Sequence, residues 1–399
     1  MNFVFISPYF PENYWNFCDR LHANGVNVLG IGDAPFDSLP ARLKSALTEY
    51  YRVSNMENYD EMVRAMGFFT FKYGKIDWVE SNNEYWLEQD ARLRSDFNIT
   101  TGIKAEEIAK FKHKSVMKEY YRAAGVPTAR WHLADTLEKS LIFAKTVGWP
   151  IVAKPDNGVG ANNTYKICSR EELAAFFDEN GAAAAGYILE EFVDGEVVTF
   201  DGVADGNARP IYAASHVTPD SIMDIAHGEK PLWYYVDPTI SPELHRAGEA
   251  TLRAFGACNR FFHCEFFQLN EDKKGLGKKG DYVALEVNMR PAGGYTPDMI
   301  NFANSVDCYQ IWADMVCYDK VQNQDLNGSK YFCVYAGRRD GRHYQHTHEE
   351  VLERYGSRMV MCDRMPEALA MDMGNQMYTV ILDTAEQRDE FIHFVQTLA

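Results

Sequence analysis

Four side chains carry the most legible chemistry in this chain. Residues 282–291 read Tyr-Val-Ala-Leu-Glu-Val-Asn-Met-Arg-Pro, an apolar strand that runs into a polar end. Strand side chains alternate between faces, so Glu286, Asn288 and Arg290 project from one side and Leu285, Val287 and Met289 from the other. An earlier apolar run at 261–269 carries Glu265. The polar, Gly-containing segment 270–281 between them can turn the chain back, so that the strands pair and Glu265 lies beside Glu286. Two carboxylates and an amide oxygen are hard ligands that suit Mg2+, which fills the rest of its shell with water and phosphate oxygens. The neighbouring arginine suits such a phosphate. The plainer reading is a surface hairpin with chance charges, and the rest of the chain decides between the two.

A second set of polar groups precedes this one. The strand at 150–155 ends in Lys154-Pro155 and leads through Asp156-Asn157-Gly158-Val159-Gly160-Ala161-Asn162-Asn163 into another strand at 164–168. Backbone N–H groups of such a loop can fold over phosphates. The strand-loop-strand order and the missing Gly-Lys-Ser/Thr separate it from a Walker P-loop, and from the glycines alone a hairpin turn is the stronger reading. Lys114 opens a helix that stops at Gly125-Val126-Pro127, where a lysine is ordinarily just solvated. Residues 187–193 form a strand bearing Glu190 and Glu191. Glu84 could touch a substrate amine, although an acid in the first turn of a helix is commoner. His343, His346 and His348 read as loop histidines rather than a metal set. Arg338, Arg339 and Arg342 read as a solvated turn rather than a carboxylate clamp. His263, two residues before Glu265, either borders the same site or is an ordinary strand histidine. His216 and His227 are candidates for substrate recognition.

The elements that must hold these groups follow in order. A strand-helix-strand rhythm at 2–7, 13–23 and 27–31, continued by a helix at 59–72, a strand at 77–80 and a helix at 83–97, predicts a parallel sheet. Ligands of such sheets sit beyond the strand carboxyl ends, here near 7–10 and 80–84. No Gly-rich dinucleotide fingerprint follows the first strand, so NAD is not expected. Helices are expected at 105–124 with a break near 111–114, and at 138–147, 171–179 and 243–255. An antiparallel meander is expected at 197–215, a mainly helical stretch at 299–319, and a final α/β portion from 331 that ends in a helix at 386–398. The 399 residues suggest two to four domains, and the net charge of -17 argues against nucleic acid or an anionic membrane as partner. Eight cysteines include no Cys-x-x-Cys pair, which suits a reducing cytoplasm. The N-terminal apolar run reads as a first strand rather than a leader, and no apolar run approaches membrane-spanning length.

Five pieces stand in one order: His113-Lys114 before Ala124-Gly125-Val126-Pro127; Val152-Ala153-Lys154-Pro155 with its Gly loop; Leu189-Glu190-Glu191-Phe192-Val193; Glu265; and Leu285-Glu286-Val287-Asn288-Met289-Arg290-Pro291. Over residues 100–315 this resembles the ATP-grasp superfamily, in its carboxylate-amine ligase branch, the type of D-alanine–D-alanine ligase, biotin carboxylase and carbamoyl phosphate synthase domains. The resemblance implies a multidomain α/β and α+β fold. A Rossmann-like parallel-sheet pre-ATP-grasp domain would occupy 1–100 and a small lid subdomain 101–190. A large subdomain with the metal site would occupy 191–325, completed by an α/β portion at 326–399.

It also implies ATP and Mg2+, with Mn2+ as an alternative ion. Lys114 and Lys154 would contact the nucleotide phosphates, under a lid that includes Asn157, Gly158 and Gly160. The Glu191 carbonyl and Val193 N–H would read the adenine edge, with Glu190 nearby. Glu265, Glu286 and Asn288 match the metal ligands, and Arg290 would hold the transferring phosphate, so that Arg290 and Lys154 are the catalytic candidates. Where the family often has a ribose-binding acid this chain has Val197, and the neighbouring Glu196 becomes the candidate. The implied reaction is phosphoryl transfer from ATP to a carboxylate, giving an acyl phosphate that an amine attacks, with little covalent participation by the protein. The expected partners are a small-molecule carboxylate and amine, with a homodimer as an option. A bicarbonate-activating carboxylase or carbamoyl-phosphate-type enzyme is the alternative reading, and a nucleotide-binding regulatory protein without turnover is a third.

Overall fold

The computed structural model describes residues 1–158, 163–219 and 231–399; Gly160 and His227 lie outside the described residues. Strands β1 (Asn2–Ile6), β2 (Asn27–Gly32), β3 (Glu49–Arg52) and β4 (Trp78–Glu80) form a parallel sheet in the order β3-β2-β1-β4. The period-2 pattern of β1 divides two cores. Phe3 and Phe5 pack with Phe17 and Leu21 of the helix Trp15–Ala23, while Val4 and Ile6 pack with Met62, Met66 and Phe69 of the helix Tyr59–Tyr73. Only β3 escapes the sequence pattern, because Glu-Tyr-Tyr-Arg offers no apolar run.

A second, antiparallel sheet contains β5 (Trp131–Leu133), β6 (Ile151–Pro155), β7 (Tyr165–Ile167) and β8 (Tyr187–Glu191), in the order β5-β8-β6-β7. Ile151, Ala153 and Leu189 turn to the helices Leu137–Val147 and Arg170–Asn180. Alternation therefore sends Lys154 and Glu190 to the opposite face.

The third sheet holds β9 (Gly195–Ala204), β10 (Pro210–Thr218), β11 (Leu232–Asp237), β12 (Arg260–Leu269), β13 (Tyr282–Asn288), β14 (Phe332–Arg338), β15 (Met359–Met361) and β16 (Gln376–Leu382). Their order is β13-β12-β9-β10-β11-β14-β16-β15, so the C-terminal strands extend the same sheet that carries the predicted hairpin. One face buries Val198, Phe200 and Phe262 under the helix Pro242–Phe255. Contact there is close enough that a Cβ on Gly248 would meet the Phe200 ring at 2.2 Å, so glycine is required. The other face packs Tyr234, Phe261 and Tyr335 against the helices Thr296–Asn304 and Cys308–Tyr318 and against Phe3 and Phe5 of the first sheet. Toward β9, β12 and β13 that second face turns polar.

Candidate active site

The hairpin register determines the polar patch. Glu265 of β12 pairs directly with Glu286 of β13, and His263 pairs with Asn288, so all four lie on one face in two adjacent rows. The rows continue across β9, where Glu265 faces Thr199 and His263 faces Asp201. Each carboxylate has one cationic neighbour. His263 Nε2 lies 3.0 Å from Glu265 Oε1, and Lys114 Nζ lies 3.2 Å from Glu286 Oε1. Burial alone would raise the Glu265 carboxyl, but the hydrogen bond and charge of His263, with help from Arg290, hold it below its ordinary value. Among the described residues Glu265 and Glu286 are each engaged through Oε1 alone, and two carboxylates beside an amide form a donor set that fits a hard divalent cation.

Arg290 follows β13 and reaches the segment after β4 of the first sheet. Its Nε lies 3.5 Å from Glu84 Oε2, and Glu84 Oε1 accepts from Lys112 Nζ at 2.8 Å. Glu84, Lys112 and Lys114 are all buried. The first-turn reading of Glu84 is therefore incomplete, because its buried carboxylate lies between Lys112 and Arg290.

On the small sheet, Lys154 Nζ lies 2.9 Å from Glu190 Oε2 and Lys118 Nζ 2.5 Å from Glu190 Oε1. Burial alone would raise the Glu190 carboxyl, but the two lysines pull it down to about 2. For Lys118 the balance reverses, and burial holds its ammonium pKa below the usual lysine value despite Glu190. Lys118 is invisible to sequence reasoning as a site residue: four residues after Lys114 it shares a helix face with it, but so do many solvated lysines. Lys118→Met is expected to leave Glu190 drawing on Lys154 alone. Thermal melts should show a loss of roughly 1–3 kcal/mol.

The Glu191 carboxylate is clamped by Arg130, with Nε to Oε1 at 2.9 Å and Nη2 to Oε2 at 2.6 Å. Val193 is buried, and its N–H makes no hydrogen bond among the described residues. Asp156, next in line after β6, caps the helix Lys114–Ala124 from outside: its carboxylate accepts from Ser115 N at 2.7 Å and Ser115 Oγ at 2.8 Å. That ties the glycine loop to the lysine helix. Gly158 O accepts from Lys114 Nζ at 3.3 Å, while the exposed Asn157 side chain donates to Glu88. Glu196 does not join this group. Strand alternation in the unbroken β9–β12 register places it with Val198 and Phe200, on the face away from Thr199 and Asp201, so the ribose role is withdrawn from it.

Asp201, His216 and His263 form a buried cluster. Both histidine Nδ1 atoms lie 2.7 Å from Asp201, one on each carboxylate oxygen. The donors a metal would need are thus engaged with one another. With carboxylates on both nitrogens, His263 is held as an imidazolium: burial opposes the charge, but Asp201 and Glu265 raise its pKa to about 9. The C-terminal candidates stay apart. Arg338 binds the carbonyls of Val395 and His346, His346 stacks on Phe394, and His348 Nδ1 contacts the Tyr378 hydroxyl at 2.8 Å.

No family model matches the chain. The L-arginine-specific L-amino acid ligase of Bacillus subtilis is 23% identical over 236 residues, which are 57% of this chain and 55% of that one. The chain thus spans about half the length of that curated relative. Among solved structures, the L-amino acid ligase from Bacillus licheniformis superposes with a TM-score of 0.71 at 14% identity, over 98% of this chain and 96% of that one. The biotin carboxylase domain of the Hydrogenobacter thermophilus 2-oxoglutarate carboxylase, solved with MgADP, ADP and bicarbonate, gives 0.69 at 14% identity, over 100% of this chain and 90% of that one. The chain has the ATP-grasp fold. Two of these three proteins are amino acid ligases by name and the third is a carboxylase domain. No helix among the described residues is long and apolar enough to cross a membrane.

Proposed function

We propose that this chain is an ATP-dependent ligase that phosphorylates a small carboxylate and joins the acyl phosphate to an amine, with an amino acid as the carboxylate. The observation that carries this reading is the convergence of the Glu265–Glu286–Asn288 patch with Lys114, Lys154 and Arg290, because adenine binding alone requires no metal set facing two lysines and an arginine. In this reading Glu265, Glu286 and Asn288 hold Mg2+, or Mn2+, and the ion neutralises charge on the transferred phosphoryl group. Lys114 and Lys154 bind phosphate oxygens. Arg290, braced by Glu84, holds the carboxylate-phosphate as it forms, and Val193 N–H reads the adenine edge. The loop of Asn157, Gly158 and Gly160 covers the phosphates and keeps water from the acyl phosphate.

The division at 1–100, 101–190, 191–325 and 326–399, a cytoplasmic location and a homodimer belong to the same proposal; the shared third sheet supports treating the last two segments as one body. The test is ADP and phosphate release with Mg-ATP and pooled L-amino acids, with and without bicarbonate. Release that needs amino acids, with a condensed product by mass spectrometry, is the expected result. Release that needs bicarbonate would replace the ligase with a bicarbonate-activating enzyme of the kind its biotin carboxylase neighbour represents.

A further inference from the structure

His216 of β10 stands outside the metal patch but on the same sheet face. Asp201 pairs with Ala214 and Val198 with Val217, so His216 lies opposite Thr199, which itself faces Glu265. His216 N donates to Thr199 Oγ1 at 2.9 Å, and Thr199 Oγ1 donates to Asp201 Oδ2 at 2.6 Å. The imidazole is thus fixed at its backbone and at Nδ1, while Nε2 makes no hydrogen bond among the described residues. An ionised Asp201 accepting from Nδ1–H sets the tautomer that leaves the Nε2 lone pair free, the arrangement of a general base oriented by a carboxylate. Two strand spacings put His216 roughly 10 Å from Glu265 along the row.

The far wall of this strip is also built. Tyr234 of β11 stands edge-on to the His216 ring at 5.9 Å between centroids, and its hydroxyl lies 3.2 Å from Thr296 Oγ1. Thr296 Oγ1 in turn donates to Gly293 O at 2.8 Å, which ties the loop following Arg290 to β11. The loop that follows Arg290 is thus linked through Thr296 and Tyr234 to the His216 ring.

We propose that His216 is the general base for the attacking amine, oriented by Asp201. The proposal rests on the ligase reading. The amine arrives as R–NH3+ and Nε2 accepts one proton; the freed lone pair attacks the acyl carbon as the carbon–oxygen bond to phosphate breaks. Phosphate leaves with the bonding pair and takes the second nitrogen proton as HPO4 2-, and the imidazolium returns its proton to solvent. Glu265 lies on the other side of His263 and takes no part in this transfer. His263, with carboxylates on both nitrogens, cannot substitute for His216.

The test separates two half-reactions on the full chain with Mg-ATP and pooled L-amino acids. Hydroxylamine, neutral near neutral pH, traps the acyl phosphate as a hydroxamate without a base, whereas an amino acid arrives protonated and needs one. His216→Asn is expected to cut amide product by about 100-fold while hydroxamate formation stays within about threefold of wild type. In His216→Ala, added imidazole is expected to restore part of the amide product. Near-normal amide formation in His216→Asn, or an equal loss of both products without imidazole rescue, would overturn the assignment. A wild-type chain that makes neither product would overturn the ligase reading and this proposal with it.

Discussion

Glu286→Gln is expected to lower Mg-ATP turnover by about 1,000-fold or more while the protein keeps its fold. The substitution preserves shape and removes one negative charge from the centre of the patch. Glu286 is the residue that both faces Glu265 across the hairpin and pairs with Lys114, so the change acts on the proposed metal site and on the lysine together. An amide oxygen can still coordinate, but it brings no negative charge to offset a divalent cation and no longer balances the Lys114 ammonium. Retention of the fold follows from position: the Glu286 side chain is 20% exposed and sits at the rim of the hydrophobic packing. Two measurements decide the matter, ADP release under saturating Mg-ATP and the thermal melt. A normal melt with turnover lost is the expected pair, and near-normal turnover would remove Glu286 from the metal site.

The parts of the site that could be read from the sequence are those governed by a local rule. Glu265, Glu286 and Asn288 obey strand alternation, and the turn between their strands is signalled by its own residues, so their meeting follows from short-range pattern. The same rule, applied to 195–204, places Glu196 on the wrong face for a ribose contact; the resemblance pointed to that stretch, and alternation decides against it. What escaped the sequence is non-local. Lys118 differs from a solvated lysine only because Glu190, 72 positions later by number, is folded over it. Asp156 caps a helix that begins 42 residues before it, and Glu84 pairs with Arg290, which lies more than two hundred positions later. β11 escapes the period-2 pattern because 232–237 is a continuous apolar and aromatic run with no polar alternation, and Tyr234 on it becomes visible only in the fold.

The largest effect expected on stability lies beneath the site, in the cluster that joins the first sheet to the third. Glu80, at the end of β4, accepts from Arg94 Nη2 at 2.8 Å and from Arg260 Nη2 at 2.5 Å, and all three side chains are buried. Glu80→Gln would leave two buried guanidiniums without their carboxylate, and the expected loss is about 3–5 kcal/mol in urea unfolding. Asp90 makes the cluster sensitive to pH. Burial first, and then the Glu80 charge, push its carboxyl up to about 7, while Arg94 and the Ser81 hydrogen bonds pull the other way. A carboxyl raised in the folded state takes up a proton on folding. Between about pH 4, where an unfolded aspartate titrates, and about pH 7, the folded chain binds more protons, so this group's contribution to stability falls as pH rises and levels off above that window. Glu80 acts in the opposite sense, because the two arginines overcome burial and lower its carboxyl. Its contribution is present above roughly pH 4 and is lost as pH falls through its lowered folded value. Asp90→Asn keeps an oxygen for Ser81 N and Oγ, which now donate to Asp90 Oδ2 at 2.9 and 2.6 Å, and offers an amide N–H toward Glu80 without needing a proton. The variant is expected to be more stable than wild type by on the order of 1–3 kcal/mol near pH 8, with the gain shrinking toward about pH 5. Equal stability of the two proteins near pH 8 would mean that Asp90 carries no raised carboxyl. A Glu80→Gln loss below about 1 kcal/mol would mean that Arg94 and Arg260 find other partners.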